Sequence, residues 1–135
     1  MNLFLDSDIL LDVILDRIPH YEFSGQVLLL ADQPDFYCCT TVHALLNVHY
    51  VTKRHLGLKI ANEAVVVLFN KVHIIPEDST TIEQAMQSDF KDFEDAVQYF
   101  AAKSAGADAI ITRNIKDYTN STIPVLTAEQ FLNTL

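Results

Sequence analysis

The sequence predicts an α/β fold with a central parallel sheet and helices on both faces. Three observations carry this expectation. Five short apolar runs, at residues 3–5, 36–39, 72–75, 109–111 and 124–126, have the length and character of buried strands. The stretches between them place apolar residues at helical spacing. Strands that alternate with helices pair in parallel, because each helix carries the chain back across the sheet. The 135 residues, half of them hydrophobic, suffice for one core and read as a single domain, 1–135.

The first run, Leu3-Phe4-Leu5, stops at Asp6. Residues 9–15 are apolar apart from Asp12, and this helix must stop before Pro19. Residues 20–31 form a second helix, closed near Pro34. The second strand holds Cys38 and Cys39, the only cysteines, which read as buried free thiols. A zinc site would need further Cys or His at ligand spacing. Thr40 or Thr41 caps a helix running to about His55, and after Gly57 residues 58–70 are helical again. Two helices in succession mean that the chain is not a plain repeat of βα units. Ser79 or Thr80 begins another short helix. In residues 92–105, Phe93, Ala96, Val97, Phe100 and Ala101 fall on one stripe, read as buried, and Gly106 stands at the C-cap. Thr127 opens a last helix through Leu132.

A net charge of −9 excludes a general nucleic-acid coat, which needs a basic surface. It leaves room for an enzyme that meets phosphates through metal ions and a few local cations, and it suits a basic partner segment. No apolar run is long enough for a membrane span, and the start has no basic n-region. The expectation is a soluble cytoplasmic protein.

Three aspartates stand in matching settings. Asp6 follows the first strand. Asp95 borders the apolar stripe of the 92–105 helix. Asp117 lies just after the fourth strand, in Thr112-Arg113-Asn114-Ile115-Lys116-Asp117-Tyr118. Carboxylates gathered at the carboxyl edge of a parallel sheet repel one another unless a cation sits among them. Oxygen-only ligands suit Mg²⁺ or Mn²⁺. Asp6, Asp95 and Asp117 are the candidate metal ligands, and Asn114 adds an oxygen one helical turn before Asp117. Ser7, Thr112 and Asp92 read as supporting residues, and each also has a plain capping or hydrogen-bonding role open to it. His43, Asn47, Tyr50 and Arg54 share one polar stripe. Arg113, Lys116 and Arg54 are candidate phosphate contacts.

At these residues the chain resembles the PIN-domain family, and within it the small VapC-like toxins. Leu5-Asp6-Ser7-Asp8-Ile9-Leu10-Leu11-Asp12 is similar to the family's opening motif, with Asp8 in place of the usual Asn. Asp92-Phe93-Glu94-Asp95-Ala96 is similar to its central acidic motif. Ile111-Thr112-Arg113-Asn114-Ile115-Lys116-Asp117-Tyr118 is similar to its third motif. Asn47 stands where the family usually carries a glutamate, and Asn114 where other members have Asp. The resemblance implies a three-layer α/β/α fold with strand order 3-2-1-4-5. It implies a Mg²⁺- or Mn²⁺-dependent endoribonuclease, often a homodimer, with an RNA substrate. It also implies an antitoxin partner whose basic tail covers the acids. Asp6, Asp95, Asp117, Asn47 and Asn114 would form the catalytic set.

Two other readings belong beside it. A PIN-like module that binds without cutting would suit the neutral Asn47 and Asn114. A DxD-type phosphatase would use Asp6 and Asp8, but Ile9-Leu10 follow where that chemistry expects Gly-Thr.

Overall fold

The computed structural model describes all 135 residues. Five parallel strands form one sheet: β1 (Asn2–Leu5), β2 (Tyr37–Thr41), β3 (His73–Ile75), β4 (Ala109–Ile111) and β5 (Val125–Leu126), in the order β3-β2-β1-β4-β5. Seven helices surround it: α1 (Ser7–Ile14), α2 (Tyr21–Leu29), α3 (Val42–Leu56), α4 (Leu58–Lys71), α5 (Ser79–Met86), α6 (Phe93–Ser104) and α7 (Ala128–Leu132). The three-layer arrangement and the strand order are those the sequence leads one to expect.

Alternation along the central strands divides the core. Leu3, Leu5, Cys38 and Ile111 join the larger apolar cluster with Ile9, Leu10, Val27 and Leu68. Phe4, Cys39 and Ile110 join the smaller one with Tyr99 and Ala102 on the opposite face. Leu3, Phe4 and Leu5 are fully buried because β1 has a strand on each side and helices above and below. Cys38 and Cys39 are buried free thiols, and burial pushes them up to about 11 and about 12.

Capping sets where the helices begin. Thr41 accepts from the Ala44 amide at 3.0 Å and starts α3, while Gly57, at φ +90°, separates α3 from α4. Asp78 forms a capping box with Thr81 at α5, and Thr127 forms one with Gln130 at α7.

Most strand and helix ends fall within a residue or two of expectation, and three differences matter. β2 starts at Tyr37 and runs on to Thr41. α1 starts two residues early, at Ser7, because Asp6 itself supplies the cap. Phe93, placed on the buried stripe by its spacing, is 51% exposed. It lies in the first turn of α6, beyond the sheet's edge, and Phe90 packs against Tyr99 at 4.9 Å and joins the core cluster there.

β1 pairs with β2 on one side and β4 on the other. The crevice outside the carboxyl ends of such neighbours is where open α/β sheets place their ligands. Asp6 and Thr112 follow the last residues of β1 and β4 into that crevice, with the Asp6 amide bonded to the Ile111 carbonyl at 3.0 Å.

Candidate active site

Asp6 ends β1 and caps α1. Its Oδ1 accepts from the Ser7 amide at 2.7 Å. Its Oδ2 accepts from the Thr112 hydroxyl and from the Tyr118 hydroxyl, each at 3.0 Å. Burial raises the Asp6 carboxyl above the usual carboxylate range, three hydrogen bonds oppose that rise, and the Asp117 charge adds to it. Burial and the nearby carboxylates push the Tyr118 phenol up, so it stays a donor.

Asp8, in the first turn of α1, faces the same crevice. Its Oδ2 accepts from the Arg113 amide at 2.9 Å, the Asn114 side-chain amide at 3.1 Å and the Thr112 hydroxyl at 3.2 Å. Its Oδ1 is buried and has no partner. Burial first, then the Asp6 charge, pushes the Asp8 carboxyl up to about 6. Asp12, a turn further on and fully buried, holds Arg113 Nη2 at 2.9 Å and accepts from the Ser24 hydroxyl at 3.0 Å. These contacts tie the start of α1 to the segment that follows β4.

Asp95 and Asp117 come from the other side. Asp95 lies in the first turn of α6, whose N-cap Asp92 accepts the Asp95 amide at 3.0 Å. Asp117 is exposed on the 3-10 turn Ile115–Tyr118. Partial burial, then the charges of Asp92, Asp117, Asp6 and Glu94, push the half-buried Asp95 carboxyl up to about 7. The three predicted ligands therefore share one electrostatic neighbourhood. No three carboxylate, imidazole or thiolate groups stand together as a ready-made metal cage.

The remaining candidates divide by what they touch. Asn47, on α3, donates to Ser7 Oγ at 3.1 Å and so reaches the site through the residue beside Asp6. Asn114 turns to Asp8. Thr112 supports two carboxylates, and Asp92 is a helix cap. Arg113, a candidate phosphate contact, commits Nη2 to Asp12 instead, because a buried carboxylate left unpaired would be costly. Lys116 is exposed on the 3-10 turn, and Arg54 lies over the Tyr50 ring at 5.8 Å, near the far end of α3. Asp12 and Tyr118 were not singled out as site residues from the sequence, and Asp8 entered only as the residue in place of the usual Asn and in the DxD alternative. The available signal was the spacing of Asp8 and Asp12, one helical turn apart on an apolar helix.

A family model described as a PIN domain matches residues 2–116. The chain belongs to the PIN-domain family. Among curated proteins it is similar to Ribonuclease VapC1 of Aquifex aeolicus, 28% identical over 96% of this chain and 92% of that one. Among solved structures it is similar to VapBC2 from Rickettsia felis bound to a promoter DNA fragment, with a TM-score of 0.70 and 15% identity over 93% of this chain and 97% of that one. It is also similar to Mycobacterium tuberculosis VapC20, described as a Sarcin-Ricin loop cleaving toxin, with a TM-score of 0.65 and 18% identity over 80% and 86%. Within this PIN domain, Asp8 and Asn114 form a bonded pair, so the neutral residue at 114 stands beside a carboxylate at 8.

Proposed function

We propose that this chain is a metal-dependent endoribonuclease of toxin type that hydrolyses RNA phosphodiesters. The observation that carries this is the raised Asp6 and Asp95 carboxyls at the strand-end crevice of a PIN domain: burial raises both, the Asp117 charge adds to both, and the Asp6 charge adds to Asp95. The resemblance to a protein named a ribonuclease supports it.

The donor set suits a hard divalent cation. It is all oxygen, its charges repel, and one buried Asp8 oxygen has no partner. Mg²⁺ keeps several waters and needs only one or two carboxylates, so a closed protein cage is not required. Asp6, Asp95 and Asp117 would hold Mg²⁺ or Mn²⁺, which when bound activates water and neutralises charge developing on the phosphate. Thr112 and Tyr118 fix the Asp6 carboxylate, and Ser7 passes that order to Asn47. Asn47 and Asn114 orient water or the ligand shell by hydrogen bonds. Lys116, exposed beside Asp117, contacts phosphate, with Arg54 further along α3.

The partner in this reading is an antitoxin with a basic tail over the acids, and the toxin acts as a homodimer. Structural neighbours described as toxin–antitoxin complexes support the partner. Cleavage of RNA with Mn²⁺, compared between wild type and Asp6→Asn, tests the activity. Equal cleavage by both would sink the assignment. One observation favours a second reading, a module that binds without cutting: Asn47 brings an amide, bound to Ser7, where a charge would strengthen a metal site. Calorimetric titration with Mn²⁺ separates the two, since that reading requires no saturable binding.

A further inference from the structure

A second cavity opens on the far side of Arg113 and Asn114. Its volume is about 360 Å³, and its lining includes His20, Phe23, Arg113, Asn114, Thr127 and Glu129. Binding pockets of small ligands begin at about 300 Å³. The cavity lies between the start of α2 and the start of α7, two elements in mutual contact. Arg113 and Asn114 join it to the acidic crevice, because the same two residues hold Asp12 and Asp8.

The lining has the chemistry of a nucleobase site. Phe23, 36% exposed, and His20 offer flat rings on which a base can stack. Glu129 is exposed, makes no ion pair, and its carboxylate accepts no hydrogen bond from the chain. Arg113 gives Nη2 to Asp12 and its Nε is buried, so Nη1 of this partly exposed side chain is the donor left for a ligand. Asn114 Nδ2 gives one N–H to Asp8, and its second N–H is the other donor at the rim.

The geometry points to a guanine-binding pocket for the RNA strand next to the cut. Guanine alone among the four bases presents two adjacent donors on its Watson–Crick edge, N1–H and the 2-amino group. One carboxylate accepts both, as it accepts two parallel bonds from a guanidinium. Guanine O6 and N7 are acceptors, which suit Arg113 and Asn114. Adenine offers a carboxylate one donor and places an acceptor beside it, so Glu129 selects against it. Unstacked bases of single-stranded RNA are read in this way, on their edges and on aromatic rings. This assignment rests on the ribonuclease reading for its biological substrate, but not for its binding chemistry.

The test uses the whole protein and GMP, AMP, CMP and UMP as probes. In a ¹H–¹⁵N NMR titration, GMP should move the amides of Ser24 and Ala128 at the lowest concentration of the four. Glu129→Gln should weaken GMP about tenfold or more and leave AMP little changed, the scale of losing one bidentate base contact. Equal shifts by all four nucleotides, no shift at those amides, or GMP binding unchanged in Glu129→Gln would each overturn the pocket. Sites cut in a mixed-sequence RNA give the second readout: guanine should recur at one fixed position, and its excess should fall in Glu129→Gln. GMP selectivity without RNA cleavage would sink the ribonuclease reading and keep the pocket. Cleavage with neither GMP selectivity nor a fixed guanine would do the reverse.

Discussion

On one side of the acidic crevice, Asp6, Asp8 and Asp12 are buried. Between them they accept from Ser7, Ser24, Thr112, Asn114, Tyr118 and the backbone and side chain of Arg113. On the other side, Asp95 is half-buried, Asp117 is exposed, and neither carboxylate accepts a hydrogen bond from the chain. The first side is braced, and its acids are part of the fold. The second is held only by the elements that carry it, so its acids are available to a ligand. Substitutions on the braced side should register in stability, and at Asp6 and its partners in cleavage as well; those on the open side should register in ligand binding and catalysis.

The largest stability effect is expected at Asp12. We predict that Asp12→Ala costs about 3 kcal/mol in urea denaturation, because it leaves the Arg113 guanidinium uncompensated. Asp117→Asn should leave the urea midpoint unmoved while abolishing RNA cleavage. A midpoint shift as large as that of Asp12→Ala would erase the distinction between the two sides.

Thr112→Val comes next. It keeps the shape of a fully buried side chain but removes the hydroxyl that Asp6 and Asp8 share and that accepts from the Asn114 amide. A loss of about 1–3 kcal/mol follows, together with reduced cleavage. Tyr118→Phe removes one donor from Asp6 and should cost about 1 kcal/mol by the same measurement. Wild-type stability in either variant would mean that ordered water replaces the lost donor.

The smallest effect is the pH response of the raised acids, one from each side. Asp95, at about 7, and Asp8, at about 6, sit above the 3.8 of a free carboxyl, so between 3.8 and about 7 the folded state binds more protons than the unfolded one. Stability therefore falls as pH rises through that window, and the penalty is full above it. We predict a higher melting temperature at about pH 5.5 than at about pH 8, with a smaller difference in Asp95→Asn. Mn²⁺ should oppose the trend, since it binds the ionised acids and stabilises the protein more at the higher pH. A melting temperature that rises with pH in the metal-free protein would contradict this account.

Much of this was legible in the chain. Leu3-Phe4-Leu5 running into Asp6, the Thr41 cap and Gly57 are local signals, and the elements they mark stand where expected. Asp6, Asp95 and Thr112 were legible as well, because a polar residue at the edge of an apolar run has few bland explanations. Phe93 misled because periodicity describes a helix face but not where the neighbouring layer ends. Arg113 misled because its partner, Asp12, lies about a hundred residues earlier on another element.

By itself, the sequence determined which segments are strands and helices, and therefore which residues stand at strand ends. Those properties depend on side-chain periodicity and capping within a few residues. Only the tertiary structure decided which acids are braced and which are open. That outcome depends on β1 pairing with β4, which brings Asp6 and Asp8 within 3.2 Å of Thr112, more than a hundred residues away. No local pattern encodes a contact at that separation, because the energy that selects it comes from burying the whole sheet.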